Sequence, residues 1–436
     1  MEPVKVGLLG LGIVGGGTIS VLRRNATEIA RRAGRGIIVT HASARDLKKP
    51  REFPLDGIEL LGDPLELVNH PEVEIVAELI GGTELAREVV MQAISNGKHV
   101  VTANKALIAI HGNEIFEAAT RKGVIVAFEA AVAGGIPIIK AIREGLAGNS
   151  ISSVAGIING TTNFILTAMR EQVRSFEDVL AEAQSLGYAE ANPTFDVEGI
   201  DAAHKLTILA AIAFGIPLQF EKVYTEGITQ ITIDDIGFAE RFGYRIRHLG
   251  IARRTSEGVE LRVHPTLIPE RRLIANVDGV RNAVLVIGDA VGPTIYYGAG
   301  AGADPTASAV VADLVDIVRA FTTDPGNRVP HLAFQSDALS HEEILPMEEI
   351  STAYYLRMQA LDRPGVLADV TRILGESGIS IEAILQREPV EGASFVPIII
   401  LTQSVREKYM NQAIEKLEAL PNINGRVMRI RMDPLA

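Results

Sequence analysis

The sequence contains no cysteine, which excludes disulfides, thiolate metal sites and a cysteine nucleophile together. A chain built this way suits a reducing compartment. It also lacks a basic cluster: 42 Lys+Arg against 54 Asp+Glu leave a formal net charge of −12, whereas binding a phosphate backbone needs a basic face. The pairs Arg31-Arg32 and Arg271-Arg272 are isolated and read as surface charge, so no nucleic-acid partner is expected. No apolar run is long enough to span a membrane: residues 207–218 make 12, short of the roughly 18 required. The apolar start VGLLGLGIVGGG has no basic flank and is broken by glycines, unlike a secretory leader. Internal repeats with a period of about 20–50 residues are absent too. The expectation is a cytoplasmic protein with no membrane partner.

What is present is a long chain, 436 residues with 47% apolar, enough for about three domains with cores of their own. Residues 4–9 are β-branched and leucine-rich, and Gly10, Gly12 and Gly15 follow at once, before a helical stretch expected over 18–33. Strand, G-x-G-x-x-G, helix is the context of a dinucleotide-binding turn. Its first glycine permits the turn, the second lets backbone approach a pyrophosphate, and the third lets helix pack on strand. The second strand ends in HASARD, where Arg45 precedes the first carboxylate, Asp46. A 2′-phosphate calls for an arginine there and a free ribose for a carboxylate, so NADP is expected, with NAD possible. Strands are expected at 74–80, ending in Gly81-Gly82-Thr83, at 99–103, ending in TANK, and at 123–129. Ligands bind beyond the carboxyl ends of such strands, which points Thr102, Asn104 and Lys105 toward a cofactor cleft.

Gly134-Gly135 and Pro137 mark a turn into a helix and a domain hinge. Farther on, DAAHKLTIL places Asp201 and Lys205 four residues apart on one helical face, with apolar neighbours. Such a pair is either a solvated surface pair or a partly dehydrated site for proton transfer. The loop GYAEANPTFDVEG adds Glu190 and Asp196 to Asp201, as a solvated acidic loop or as a pocket for a cation. Strands at 259–265, 282–288 and 293–297 suggest a mostly antiparallel sheet that could serve a subunit interface. A glycine-rich turn and a long helix, about 305–335, carry Val310, Leu314, Ile317 and Val318 on one face, expected to return to the first domain. Beyond residue 350 the pattern is strand-helix-strand twice over, the split βαβ plan.

The stretches GLLGLGIVGGG, TANKALI, FEAAVAGGIPII, GIINGTTNFIL, GYAEANPTFDVEGIDAAHKLTIL and GAGAGADPTASAVVADL, with LRMQALDRPGVLADVTRIL, together resemble homoserine dehydrogenase followed by an ACT domain, over nearly the whole chain. The resemblance implies an α/β protein with a doubly wound Rossmann-type cofactor domain at 1–133 and an α+β catalytic and dimerisation domain at 134–304. It also implies a ferredoxin-like (βαββαβ) ACT domain at 350–436. No aspartate kinase region precedes the first strand, so the monofunctional form is expected. The implied activity is NAD(P)-dependent interconversion of L-homoserine and L-aspartate 4-semialdehyde. Lys205 matches the proton-transferring lysine and Lys105 a second lysine near cofactor and substrate, with Glu190, Asp196 and Asp201 as substrate carboxylates. Cofactor contacts would fall on Gly10, Gly12, Ile13, Val14, Gly15, Arg45, Thr83, Thr102, Lys105, Gly187 and Gly302. A monovalent cation, usually sodium, would be held through Glu129, Val132, Gly134 and Ile136. A homodimer or homotetramer is implied, with L-threonine as the natural effector at Asp362-Arg363-Pro364-Gly365.

Two rival readings remain at this level. One is a dehydrogenase for another small amino or hydroxy acid, which would share the glycine turn but not the spacing of Glu190, Asp201 and Lys205. The other is a catalytically silent sensor of nucleotide and amino acid. A further expectation is that truncation near Glu349 leaves the chemistry measurable.

Overall fold

A computed structural model describes residues 1–386 and 394–435. The chain divides into two compact units. The first gathers residues 1–160, 201–223 and 280–342, and the second residues 161–200, 224–279 and 343 onward.

In the first unit, six strands, β1 (Val4–Leu9), β2 (Ile37–Ser43), β3 (Glu59–Leu61), β4 (Ile75–Glu78), β5 (His99–Thr102) and β6 (Val126–Ala127), form a sheet in the order 3-2-1-4-5-6. Every pairing is parallel. Val6 of β1 faces Val39 on one side and Ile75 on the other, so the strand order reverses beside β1 and opens a crevice at the carboxyl ends of β1 and β4. Both faces of the sheet are buried, which explains the near-continuous apolar runs.

Three expectations are corrected here. The first helix, α1 (Ile13–Arg24), starts five residues earlier than expected and stops at Asn25, and Ala26–Ala33 forms a second helix. Gly15, Gly16 and Gly17 are helical despite poor propensity, because Gly10, the Phe53 ring and Ala303 approach too closely for side chains. The strand expected at 123–129 shrinks to β6, since Glu129–Ala131 turns into a 3-10 helix whose Glu129 N–H donates to Asp313 at 2.8 Å. The returning helix is Ala303–Arg319, ending well short of 335. It does pack on the first domain: Ala307, Val310, Leu314, Ile317 and Val318 share a core with Ile19, Val21 and Leu22.

The same unit holds an antiparallel trio, Ile151–Ile157, Arg281–Gly288 and Gly292–Ala299, with the middle strand pairing both others. It also holds the apolar helix Ile200–Phe214, buried from Asp201 onward.

In the second unit, Tyr244–Arg254 and Val259–Pro269 pair antiparallel, and Val259–Pro269 continues, parallel, onto Ile423–Met432. Ile423–Met432 in turn pairs with Ser351–Leu361, followed by Phe395–Thr402 and Ile381–Gln386. With helices Val366–Glu376 and Glu407–Glu418 this is the expected βαββαβ order. Period-two alternation gives these strands two apolar faces. Tyr354, Leu356 and Met358 pack with the two helices, Val370 and Met410 among them. Tyr355, Ile399, Leu401, Ile430 and Met432 pack instead with Ile165, Met169, Phe176, Val179 and Ile236. Residues beyond 350 therefore complete a core begun between residues 161 and 279, which corrects the expectation of a removable module. Among the described residues, no helix is long and apolar enough to cross a membrane.

Candidate active site

Helix Ile200–Phe214 follows Gly199 and carries Asp201 in its first turn, where a carboxylate is favoured by the helix dipole. Asp201 is 2% exposed and Lys205 9%, so the solvated-pair reading fails. The Lys205 ammonium donates to Asp201 Oδ2 at 2.6 Å and to the Ile158 carbonyl at 2.8 Å. On the other carboxylate oxygen, Lys105 Nζ lies 2.8 Å from Oδ1. Asn159 Nδ2 also donates to Oδ2, at 2.9 Å. One buried carboxylate thus joins two ammoniums from different helices. Burial opposes ionisation of Asp201, but Lys205 and Lys105 outweigh it and hold its carboxyl well below the usual range. His204, against the Phe220 ring at 4.2 Å, is driven down to about 4 by burial, reinforced by the two lysines. It is neutral at neutral pH.

Lys105 is the first residue of helix Lys105–Lys122, capped by Asn104, whose Oδ1 accepts from Leu107 N at 3.1 Å. The Asn104 amide donates to the Gly82 carbonyl at 2.7 Å. Thr102 does not offer its hydroxyl to the cleft. That hydroxyl is buried, donates to Glu78 Oε2 at 2.6 Å and accepts from Asn104 N at 3.0 Å, so its hydrogen bonds are committed inside the sheet.

The glycine turn is shaped for a pyrophosphate. Gly10 has φ +101°, and a Cβ on Gly15 would lie 2.1 Å from the Gly10 carbonyl, whereas nothing stands within 4 Å of Gly12. Gly12 caps α1 without a side-chain hydrogen bond, leaving the first helical N–H groups directed at an anion. Ile13, 76% exposed, and Val14 follow in that first turn. Arg45, Lys48 and Lys49 are exposed in the loop after β2, which also holds half-buried Arg51, donating to the Lys49 and Asp46 carbonyls at 2.9 and 2.7 Å. Asp46 Oδ1 is turned onto its own loop, accepting from Lys48 N at 2.9 Å and Lys49 N at 3.1 Å. Thr83 precedes helix Glu84–Ser95, and Gly302 precedes Ala303–Arg319.

Glu190, Asp196 and Gly187 belong to the second unit. Gly187 and Glu190 are exposed, and Asp196 accepts from Thr161 Oγ1 at 3.2 Å. In the first unit, Glu129, Val132, Gly134 and Ile136 are buried. Ala133 and Gly134 have φ of +54° and +48°, two consecutive left-handed residues that reorient the carbonyls of the segment. The Glu129 carboxyl is engaged by Ile139 N and Lys140 N, both at 2.9 Å, and is pushed up to about 7 by burial and by nearby Asp313. No cluster of three His, Asp or Glu that could hold a metal occurs among the described residues, so any ion here would rely on backbone oxygen, a donor suited to a hard cation.

Sequence reasoning missed Asn159, the Ile158 carbonyl, His204 and Glu78. For Asn159 a signal existed, in the Asn-Gly turn between strand Ile151–Ile157 and the helix that follows.

A parallel nucleotide-binding sheet combined with a buried lysine–aspartate pair, reached by a second, half-buried lysine, defines a nicotinamide-dependent dehydrogenase. Comparison with known proteins specifies which. Residues 10–129 match the family model for the homoserine dehydrogenase NAD-binding domain, 137–315 that for homoserine dehydrogenase, and 354–422 the ACT domain. A homoserine dehydrogenase of Pseudomonas aeruginosa is 65% identical over 435 residues, covering 100% of both chains. The crystal structure of a homoserine dehydrogenase from Thiobacillus denitrificans superposes with a TM-score of 0.95 at 65% identity, over 100% of this chain and 99% of that one. A hyperthermophilic archaeal homoserine dehydrogenase in complex with NADPH superposes at 0.62 and 25% identity, over 74% of this chain and 100% of that one. The chain belongs to the homoserine dehydrogenase family and is an NAD(P)-dependent oxidoreductase.

Proposed function

We propose that this dehydrogenase interconverts L-homoserine and L-aspartate 4-semialdehyde with Lys205 as the proton carrier. The observation that carries the reading is Asp201, buried and ionised between Lys205 and Lys105. When bound, the nicotinamide supplies or accepts the hydride at the substrate's C4. In reduction, the Lys205 ammonium gives a proton to the oxygen that develops charge at C4. In oxidation, the free amine takes the hydroxyl proton. Asp201 and the Ile158 carbonyl fix the Lys205 nitrogen, and Lys105 presents a second cation to the same oxygen. The residues argue against a silent sensor, since such a fold needs no buried lysine held by a buried carboxylate. The test is NADP reduction with L-homoserine by the wild type and by Lys205→Ala.

NADP is the preferred cofactor in this reading, because the loop after β2 gathers four cations while Asp46 is occupied by its own backbone. The division of labour assigns residues 1–133 and helix Ala303–Arg319 to the cofactor, 134–304 to substrate and dimerisation, and 350–436 to regulation. The carbonyls of Glu129, Val132, Gly134 and Ile136 would hold a sodium ion, in a buried segment turned by the left-handed Ala133 and Gly134, and such an ion would brace the segment without entering the chemistry. Binding of L-threonine at Asp362-Arg363-Pro364-Gly365, directly before helix Val366–Glu376, would place its carboxylate at a helix N-terminus. A cytoplasmic homo-oligomer completes the reading.

A further inference from the structure

Glu78 is the last residue of β4 and has no exposed surface. It stands in register with Leu9 of β1 and Thr102 of β5, directly under the crevice where the strand order reverses. Among the described residues it forms no ion pair, an expensive state for a buried carboxyl, since desolvation is then met by hydrogen bonds alone. Those bonds all go to the edge of the crevice. Oε1 accepts from Ile80 N at 3.0 Å and Gly81 N at 3.3 Å, and Oε2 accepts from Thr102 Oγ1 at 2.6 Å. Thr102 Oγ1 in turn receives Asn104 N, and Asn104 reaches back to the Gly82 carbonyl while capping the helix that starts at Lys105. Gly81 and Gly82 are consecutive left-handed residues, φ +75° and +73°, with open space where side chains would be. From Glu78 a closed ring of hydrogen bonds therefore runs through Thr102 and Asn104 to the glycine turn and back.

We propose that Glu78 is a positioning residue of the dehydrogenase reaction: it locks the carboxyl ends of β4 and β5 together, setting the Gly81-Gly82 turn against the cofactor and Lys105 against Asp201. This rests on the reading that Lys105 acts at the substrate. Burial raises the Glu78 carboxyl above its usual range, so the group acts through its hydrogen bonds more than through charge, and a glutamine of the same shape keeps the Ile80 and Gly81 bonds on its oxygen while its amide donates to Thr102 Oγ1 and so spans to β5.

The two arms of the ring separate in kinetics. Thr102→Val removes the bonds of Thr102 Oγ1 to Glu78 and Asn104 N, leaving Asn104 held by Gly82 and the Ile80 and Gly81 bonds intact, whereas Glu78→Ala removes the bonds to both strand ends. Thr102→Val should lower kcat about 10-fold or more with KM for NADP within about 2-fold, and Glu78→Ala should lower kcat and raise KM for NADP together, since displacing reacting groups by about 1 Å costs up to 10²-fold. Glu78→Gln should restore both constants to within about 3-fold of wild type, because the larger part of such a loss comes from misplacement. Melting temperatures of the apo variants separate packing from positioning. If Glu78→Ala does not fold, Thr102→Val decides alone: lowered kcat supports the proposal and unchanged kcat overturns it. Folded Glu78→Ala and Thr102→Val proteins with wild-type constants overturn it, as does Glu78→Gln losing as much activity as Glu78→Ala. Lys105→Ala serves as the reference. If it lowers kcat and the Thr102 and Glu78 variants do not, only the positioning claim fails; if Lys105→Ala itself is fully active, the role given to Lys105 fails.

Discussion

Each of the two units buries a cluster of charge, and the two clusters are made of different cations. In the first unit, Asp201 binds the amines of Lys205 and Lys105. In the second, Arg431 is fully buried: Nε donates to Glu407 at 2.7 Å, a terminal nitrogen to Glu226 at 2.8 Å and another to the Tyr224 hydroxyl at 2.9 Å. Arg262 and Arg253 enclose Asp433 in the same manner, at 3.0 and 2.8 Å. An amine can surrender a proton at accessible pH and a guanidinium cannot. Both clusters bear the desolvation cost of burial, yet only the first can exchange a proton with a substrate. Buried charge by itself therefore does not mark an active site; buried charge on lysine does, when the lysine sits beyond the strands of a nucleotide-binding sheet.

The largest effects break the comparison outright. Lys205→Ala should lower kcat by about 10²- to 10⁴-fold, the usual contribution of a general acid-base group, with NADP binding little changed and a smaller loss of melting temperature than a lost sole partner would bring, since Lys105 and Asn159 still hold Asp201. Arg431→Met should do the reverse, costing about 3–5 kcal/mol of stability because Glu407 and Glu226 would keep only Arg429 and the hydroxyls of Tyr354 and Tyr224; denaturant melts measure it, and kcat of the surviving folded fraction stays near wild type. Truncation before Ser351 belongs with the second group. It would expose Ile165, Met169 and Phe176, which now pack on the strands beyond residue 350, and expression should give aggregated protein instead of a slower enzyme.

How much of this was legible in the sequence follows from range. The glycine turn, its flanking strands and the Asp201–Lys205 spacing are local patterns, and each appears where periodicity put it. The burial of Asp201, the approach of Lys105 and the donation from Asn159 join residues 96 and 42 positions apart, beyond the reach of any window. The helical glycines of α1 defied propensity because their neighbours, Phe53 and Ala303, are distant in the chain. The pattern beyond residue 350 announced a strand at Ser351–Leu361 but could not say that Tyr355 would meet Asp235 at 3.0 Å. Glu78 lies inside the strand expected at 74–80 with no signal of its own in the sequence, and only its hydrogen bonds distinguish it.

Intermediate effects sharpen the comparison at the cofactor. Arg45→Ala should raise KM for NADP about 10-fold, as expected from losing one charge-assisted contact, while leaving NAD unaffected; steady-state kinetics with both cofactors measure the ratio. Equal losses would make Arg45 a general electrostatic residue.

The smallest expected effect is on acid stability. His99, His204 and His331 are all driven down to about 4, burial being the first cause in each. Unfolding lets each bind a proton below the usual histidine value of about 6.5, so their contribution is full above that pH and is lost as pH falls toward 4. Denaturant melts at pH 7 and pH 5 should show stability declining over this interval, and His204→Gln should decline less. An equal decline would mean that His204 is already protonated in the folded protein.

The most direct test of the central claim is Lys205→Arg, which keeps a cation beside Asp201 but replaces an exchangeable amine with a guanidinium. The account predicts a folded protein of near wild-type melting temperature that binds NADP and whose kcat for homoserine oxidation falls at least about 10²-fold, the lower end of acid-base contributions, with no recovery as pH is raised. Turnover above about half that of wild type, set against the same range, would contradict it, showing that the positive charge and not the proton is what Lys205 supplies.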